Sequence, residues 1–208
     1  MLSIVLPCYN ESENLDNLFN KILNFKNNNI QFILVNNGSI DSTGTKIKNF
    51  KCNKNIIKID IKINKGLGFG ILQGLTKASN EYIGYMHVHN FEDFDELLFL
   101  EKIVQNNNDK YLFIKGLRYG DRSKIDLFFS YSLNILTSIF LLKKMWEITA
   151  QPTIFHKKLL TQVKNIPHDY KIDLYLYFSA IKLKYKIYRF KFKFKKRSFG
   201  KSSWNKGL

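Results

Sequence analysis

The chain is short of cysteine, proline, acid and long apolar runs, and each shortage excludes something. Two cysteines, Cys8 and Cys52, stand among 208 residues, and neither lies in a Cys-x-x-Cys pair. That excludes a disulfide scaffold or zinc ribbon and fits a reduced setting. Three prolines leave no Pro-rich linker. No apolar run reaches the roughly 20 residues needed to cross a bilayer. The longest, Leu127 to Leu142, is broken by Ser130, Ser132, Asn134, Thr137 and Ser138. It reads as a helix that is either buried or lying at a membrane surface. The sequence opens on a strand-like Leu2–Leu6 without a basic and apolar leader, so no signal peptide is expected.

Acids number 17 against 33 lysines and arginines, a formal net charge of +16. Such a field favours anionic partners: nucleic acid, anionic lipid or phosphorylated substrates. Lys, Asn, Ile, Phe and Tyr are all encoded by AT-rich codons, which explains part of the excess but not its placement. A nucleic-acid binder is disfavoured, because no helix-turn-helix, ribonucleoprotein or zinc signature is present.

The first half alternates strand and helix signals. Leu2–Leu6 ends at Pro7, and Leu15, Leu18, Phe19, Ile22 and Leu23 recur at helical spacing. Asn10 with Glu13 predicts a capping box, and Asp41 or Ser42 a cap for the next helix. Gln31–Val35, Ile56–Ile61, Tyr82–His87 and Tyr111–Lys115 read as strands; Gly68–Ala78 and Phe94–Val104 read as helices. A helix near Asp173–Leu183 and a basic, strand-like tail close the chain. Strands alternating with helices predict an α/β fold with a mostly parallel sheet covered on both faces. Ligands of such sheets bind outside the carboxyl ends of the strands. Tyr9, Asn10, Asn36, Asn37, Asn64, Lys65, His87 and His89 all fall there.

Four blocks stand in order: Ile4-Val-Leu-Pro-Cys-Tyr-Asn-Glu11, Ile33-Leu-Val-Asn-Asn-Gly-Ser-Ile-Asp-Ser-Thr43, Asn64-Lys-Gly-Leu-Gly68 and Tyr82-Ile-Gly-Tyr-Met-His-Val-His89. Together they resemble the nucleotide-sugar half of family-2 glycosyltransferases, especially the polyprenyl-phosphate sugar transferases such as dolichol-phosphate mannose synthase. The resemblance implies a single GT-A (Rossmann-like) domain over 1–208, with a nucleotide-sugar half at 1–115 and an acceptor half at 116–208. It also implies a nucleotide pocket lined by Pro7, Tyr9, Asn10 and Glu11. Asn36, Asn37 and Gly38 stand where the family has Asp-Asp-Gly; an asparagine keeps an acceptor oxygen and loses the charge. Lys65 and the amides around Gly68, at a helix start, would meet a diphosphate. A dinucleotide fingerprint fails here, because Gly66, Gly68 and Gly70 have the wrong spacing.

The resemblance continues more thinly. Lys115-Gly-Leu-Arg-Tyr119 is similar to a family segment whose arginine faces phosphate, here Arg118; a surface salt bridge to Asp121 or Asp126 is the structural alternative. Gln151 stands before Pro152-Thr153 where the family often has Asp, and it cannot act as a general base. Arg197, Lys201 and Ser202 lie in a tail that resembles the family segment closing over phosphate. The fourth block ends in His87-Val-His89 in place of the metal-binding Asp-x-Asp. Two chemistries follow: little or no metal dependence, or imidazoles holding Mn²⁺ in preference to Mg²⁺, with Glu92 or Asp93 as an added ligand.

The expected function is sugar transfer, with inversion, from a nucleotide-diphospho-sugar to a polyprenyl phosphate or other membrane-proximal glycan acceptor. Arg118, His87 and His89 are the candidate catalytic groups. The expected place is cytoplasmic, peripheral at an anionic membrane surface. The rival is a degenerate nucleotide-sugar-binding or partner-binding protein of the same fold, motivated by the lost acids at 36, 37, 87, 89 and 151.

Overall fold

The computed structural model describes residues 1–51, 55–88, 95–107, 109–120 and 122–193. Seven strands form one sheet: β1 (Leu2–Cys8), β2 (Ile30–Asn37), β3 (Ile56–Ile61), β4 (Tyr82–Tyr85), β5 (Leu112–Tyr119), β6 (Thr153–His156) and β7 (Lys186–Lys193). Their spatial order is β3-β2-β1-β4-β6-β5-β7. All neighbours run parallel except those of β6, which is antiparallel to both β4 and β5. Seven helices accompany them: α1 (Ser12–Asn24), α2 (Thr43–Asn49), α3 (Leu67–Lys77), α4 (Asp95–Asn107), α5 (Lys124–Leu141), α6 (Lys158–Gln162) and α7 (Ile172–Lys182). The expected mostly parallel α/β sheet is therefore present, with β6 an antiparallel strand that the sequence pattern does not announce.

The period-2 alternation of β1 explains the two layers. Leu2, Ile4, Leu6 and Cys8 point into a core shared with Leu15 and Ile22 of α1 and with Leu97 and Leu100 of α4. Val5 points to the opposite core, with Ile71 and Leu75 of α3 and Ile172 and Leu176 of α7. Burial on both faces is what an interior parallel strand requires.

A charged pair lies inside this apolar frame. Lys115 of β5 is wholly buried. Its Nζ donates to Asp173 Oδ1 of α7 and to Thr153 Oγ1 of β6, each at 2.8 Å. The Tyr85 hydroxyl of β4 donates to the same Asp173 oxygen at 2.9 Å. Burial pulls the Lys115 ammonium below its usual range, against the pull of Asp173. Burial also pushes the Tyr85 hydroxyl well up, so it stays a proton donor.

Helix α5 removes one of the two alternatives left by the sequence. It is not buried: Phe128, Ile139 and Phe140 are 67%, 63% and 81% exposed. The basic tail forms β7 at the sheet edge. Phe190 and Phe192 face inward while Lys191 and Lys193 face water, the alternation that protects an edge strand.

Lys115→Met is expected to destabilise the fold by about 3–5 kcal/mol, because it strands a buried carboxylate. Lys115→Met combined with Asp173→Leu is expected to recover most of that loss. Urea denaturation of Lys115→Met, Asp173→Leu and the double variant measures it; additive losses would show that the two charges are uncoupled.

Candidate functional site

The parallel strands β1, β2 and β3 end in register, with Cys8 beside Asn36 and Asn36 beside Asp60. Their following turns therefore meet along one edge of the sheet. Asn10 adopts a left-handed conformation, with φ 53°. Its amide donates to Ser39 Oγ at 3.1 Å, and its Oδ1 accepts the Ile40 N–H at 3.0 Å. The Glu11 amide donates to Thr43 Oγ1 at 2.9 Å. Asp41 accepts the Ser12 N–H at 3.2 Å and the Thr43 N–H at 2.9 Å, so one carboxylate serves the starts of both α1 and α2. Partial burial works to raise the Asp41 pKa, but the hydrogen bonds from Thr43 and Ser12 outweigh it and hold the group below the usual carboxylate range. The expected Asn10–Glu13 capping box is corrected. An N-cap residue is typically extended, and left-handed Asn10 braces the neighbouring turn instead; the N-cap of α1 is Glu11, whose side chain accepts from Asn14 Nδ2 and makes no capping bond. Tyr9 remains 44% exposed at this rim.

Asn36 and Asn37 are buried and carry structural bonds. Asn36 Nδ2 donates to Asp60 at 2.7 Å, and its Oδ1 accepts the Ser39 N–H at 3.1 Å. Asn37 Nδ2 donates to the Gly66 carbonyl at 3.1 Å, while its buried Oδ1 has no partner among the described residues. Gly38 has φ 73°, and a Cβ there would lie 2.2 Å from the Asn64 amide nitrogen, so the turn needs glycine.

The Gly-rich loop differs from expectation. The Phe69 amide of α3 donates to the His168 carbonyl at 2.8 Å. A Cβ at Gly68 would stand 2.4 Å from the Pro167 carbonyl oxygen. The picture of open amides at this helix start is corrected at Phe69: the glycines let the 167–168 backbone approach, and that backbone takes the Phe69 N–H. Gly68 is a packing residue. Lys65 stays at the exposed rim, with its ammonium 5.2 Å from the centre of the Phe69 ring.

His87 follows β4 at the same sheet edge and is half-buried. His89, Glu92, Asp93, Arg197, Lys201 and Ser202 lie outside the described residues. Among the described residues, no three His, Cys, Asp or Glu side chains gather in a way that could hold a metal.

Arg118, near the end of β5, bonds through Nε to Glu147 at 2.6 Å and through Nη2 to Thr149 Oγ1 at 3.3 Å. Arg122 reaches the other Glu147 oxygen at 3.0 Å. Burial lowers the Arg118 pKa and Glu147 opposes that; a guanidinium keeps its charge at neutral pH regardless. The two guanidinium groups thus share the Glu147 carboxylate. The expected structural partners are corrected: Glu147 holds Arg118, Asp126 is bonded to Ser123, and Asp121 lies outside the described residues. Gln151 is buried, donating to Asp173 Oδ2 at 3.3 Å. Sequence reasoning missed Lys115, Tyr85 and the sharing of Glu147. A lysine inside an otherwise apolar strand was the available signal for the first; the others have no local signature.

With this geometry in place, the comparisons are specific. The model of the family described as glycosyl transferase family 2 matches residues 3–166, and the chain belongs to that family. A poly-beta-1,6-N-acetyl-D-glucosamine synthase from Staphylococcus epidermidis is 28% identical over 106 residues, 51% of this chain and 26% of that protein. The synthase from Staphylococcus aureus strain COL is 31% identical over 94 residues, 45% and 23% of the two chains. This chain therefore spans about a quarter of the length of the curated relatives it matches. Among solved structures, glucosyl-3-phosphoglycerate synthase from Mycobacterium tuberculosis, in complex with Mn²⁺, UDP and phosphoglyceric acid, superposes with a TM-score of 0.70 at 15% identity, covering 97% of this chain and 72% of that one. S. aureus TarS 1-349 in complex with UDP-GlcNAc gives 0.62 at 15% identity, covering 94% and 59%. These structures share the GT-A fold.

Arg118→Ala is expected to cost about 1.5–3 kcal/mol of stability in urea unfolding, the range for a hydrogen bond to a charged group. An unchanged midpoint would make Glu147 an incidental neighbour. Asp41 adds a pH signature. Its pKa falls on folding, so its contribution is present above the unfolded carboxylate value and is lost as pH drops through the folded one. Asp41→Ala is expected to flatten the acid limb of stability between neutral pH and about pH 3; an unchanged limb would remove Asp41 from the acid response.

Proposed function

We propose that this member of glycosyl transferase family 2 moves a sugar, with inversion, from a nucleotide-diphospho-sugar to a membrane-proximal acceptor, a polyprenyl phosphate or a glycan. The observation that carries the reading is the knitted edge formed by the β1, β2 and β3 turns, which falls wholly inside the segment matched by the family. The printed ligands of the two structural neighbours, UDP and UDP-GlcNAc, support a nucleotide-sugar donor.

In this reading the acceptor oxygen attacks C1 of the sugar as the bond from C1 to the diphosphate breaks on the opposite face. The bonding pair leaves with the diphosphate. Lys65, at the rim, and Arg118 answer the charge that develops there. Arg197 and Lys201 of the tail would add to them.

The acids support the choice of acceptor. A sugar hydroxyl needs a base, whereas a lipid phosphate arrives ionised. Gln151 is no base, and Asp173 and Glu147 are each held in a buried ion pair. That favours a phosphate acceptor. The printed name of the staphylococcal relatives, a glucosamine-polymer synthase, favours a glycan. The metal question turns on donor chemistry. His87 offers imidazole nitrogen, which suits Mn²⁺ or Zn²⁺ better than Mg²⁺. The described residues do not complete a cage, and no step above is routed through one.

The test is a thermal-shift screen of nucleotide sugars, followed by transfer assays on polyprenyl phosphate and on oligosaccharide. One donor is expected to raise the midpoint; a ligand at 100 times its Kd stabilises by about 2.7 kcal/mol. Transfer is expected to persist in chelator and to fall in His87→Ala/His89→Ala. Abolition by chelator with rescue by Mn²⁺ would overturn the metal-independent arm. Donor binding without transfer to either acceptor would establish the non-catalytic reading, which the missing acids at 36, 37 and 151 favour.

A further inference from the structure

Helix α5 is turned inside out. A surface helix normally buries its apolar stripe and shows its polar face to water. Here the polar residues Ser130, Asn134 and Ser138, spaced by four, share the face turned to the protein. Asn134 is 2% exposed. Ser130 Oγ accepts from Arg122, and Ser138 Oγ accepts the Met145 N–H at 2.9 Å while donating to the Asn134 carbonyl at 2.6 Å. The opposite side carries Ile125, Phe128, Ile135, Leu136, Ile139 and Phe140, each more than half exposed. At 3.6 residues per turn the arc from Tyr131 round to Leu133 spans about 200°, apolar apart from the half-buried Ser132.

We infer that α5 lies embedded in one leaflet of a membrane, parallel to its surface, and docks the sheet edge that carries the site onto lipid. Three observations select lipid over a protein partner. A groove-binding helix hides a stripe of about 100° and would leave half of this arc in water, whereas hydrocarbon covers all of it. Exposed Lys124 opens the helix and exposed Lys143 and Lys144 follow it, placed to meet lipid phosphates. Tyr131 and Trp146, with ring centres 5.4 Å apart and both partly exposed, stand at the margin of the arc, where amphipathic rings favour the headgroup level.

The helix does not cross. Its 18 residues would cover about 27 Å, close to a hydrocarbon core. Yet it is bonded to the same body along its inner face at Ser130 and Ser138, and the chain leaves it for β6, the neighbour of the β5 strand that it came from. That is the geometry of an interfacial helix. Arg122 joins α5 to Glu147 and so to Arg118. Embedding α5 therefore brings Arg118 to the lipid surface, a consequence that rests on the donor reading above; the embedding itself does not.

The experiment is flotation of the full chain with neutral phosphatidylcholine vesicles and with vesicles containing anionic phosphatidylglycerol, at low and high salt. The parent is expected to float with both at high salt and to gain further with anionic vesicles at low salt. Phe128→Ser/Phe140→Ser is expected to lose about tenfold or more of the high-salt binding, while keeping its circular dichroism and its donor-induced thermal shift. A parent that floats only at low salt, or a folded variant that floats like the parent, overturns the proposal. So does a parent that stays at the bottom of the gradient as a dimer by light scattering while the variant is monomeric: the arc would then be covered by a second copy. A missing donor shift in both proteins sinks the donor reading and leaves the flotation result standing.

Discussion

A lysine ammonium without access to water has to be met by charge, and in this protein the meeting of Lys115 with Asp173 fixes how the second half of the chain sits on the first. The pair links β5 to α7 directly. Thr153 draws in β6, and the Tyr85 hydroxyl draws in β4. A purely apolar contact tolerates sliding between elements; an ion pair with three donors on one carboxylate oxygen does not. The antiparallel β6 occupies the gap between β4 and β5, and its Thr153 and the adjoining Gln151 both turn to Asp173. The acid at 173 is thereby a positioning group, which explains how this end of the sheet can carry a glutamine at 151 without leaving a buried charge unanswered.

The elements that strand and helix periods can encode were legible. Ile56–Ile61 is β3 as read, and Leu15, Leu18, Phe19 and Ile22 are the buried face of α1, whereas Leu23, read with them, is exposed. What escaped the sequence is long-range. The bond that occupies the start of α3 comes from His168, about a hundred residues away, and no local pattern at Gly66 or Gly68 announces it. Glu147, which sits in a left-handed conformation, takes Arg118 and Arg122 together because a loop folds back, not because of spacing on a helix. The four-residue β6 is too short to declare a period. The site was legible as a set of positions and not as a set of contacts: Asn10, Asn36 and Asn37 are at the expected edge, but much of their hydrogen-bonding capacity is used on neighbouring turns.

That use has a physical logic. A ligand edge made of turns must be stiff before it can bind, or binding has to supply the ordering cost. Asp41 receives amides from two helix starts, Asn10 locks one turn to the next, and Asn36 reaches Asp60 on the third strand. Neutral asparagine suits this work, because it donates and accepts at once, whereas a carboxylate only accepts. In the proposed donor reading, the same exchange removes negative charge from beside the diphosphate, so fewer cations are needed to balance it.

Helix α5 carries this logic outward. Between Leu127 and Leu141 its inner face must carry polar groups, because it lies against Arg122 and the Met145 amide, which need hydrogen-bond partners. Its outer face has no such demand from the protein, and yet it is apolar apart from Ser132. In water that arrangement exposes far more hydrocarbon than isolated surface leucines would. A sequence selected only for folding would gain solubility from any polar substitution on that face. The apolar arc is therefore explained by what lies outside the fold, and the Arg122–Glu147–Arg118 chain connects that surface to the edge where the strands end.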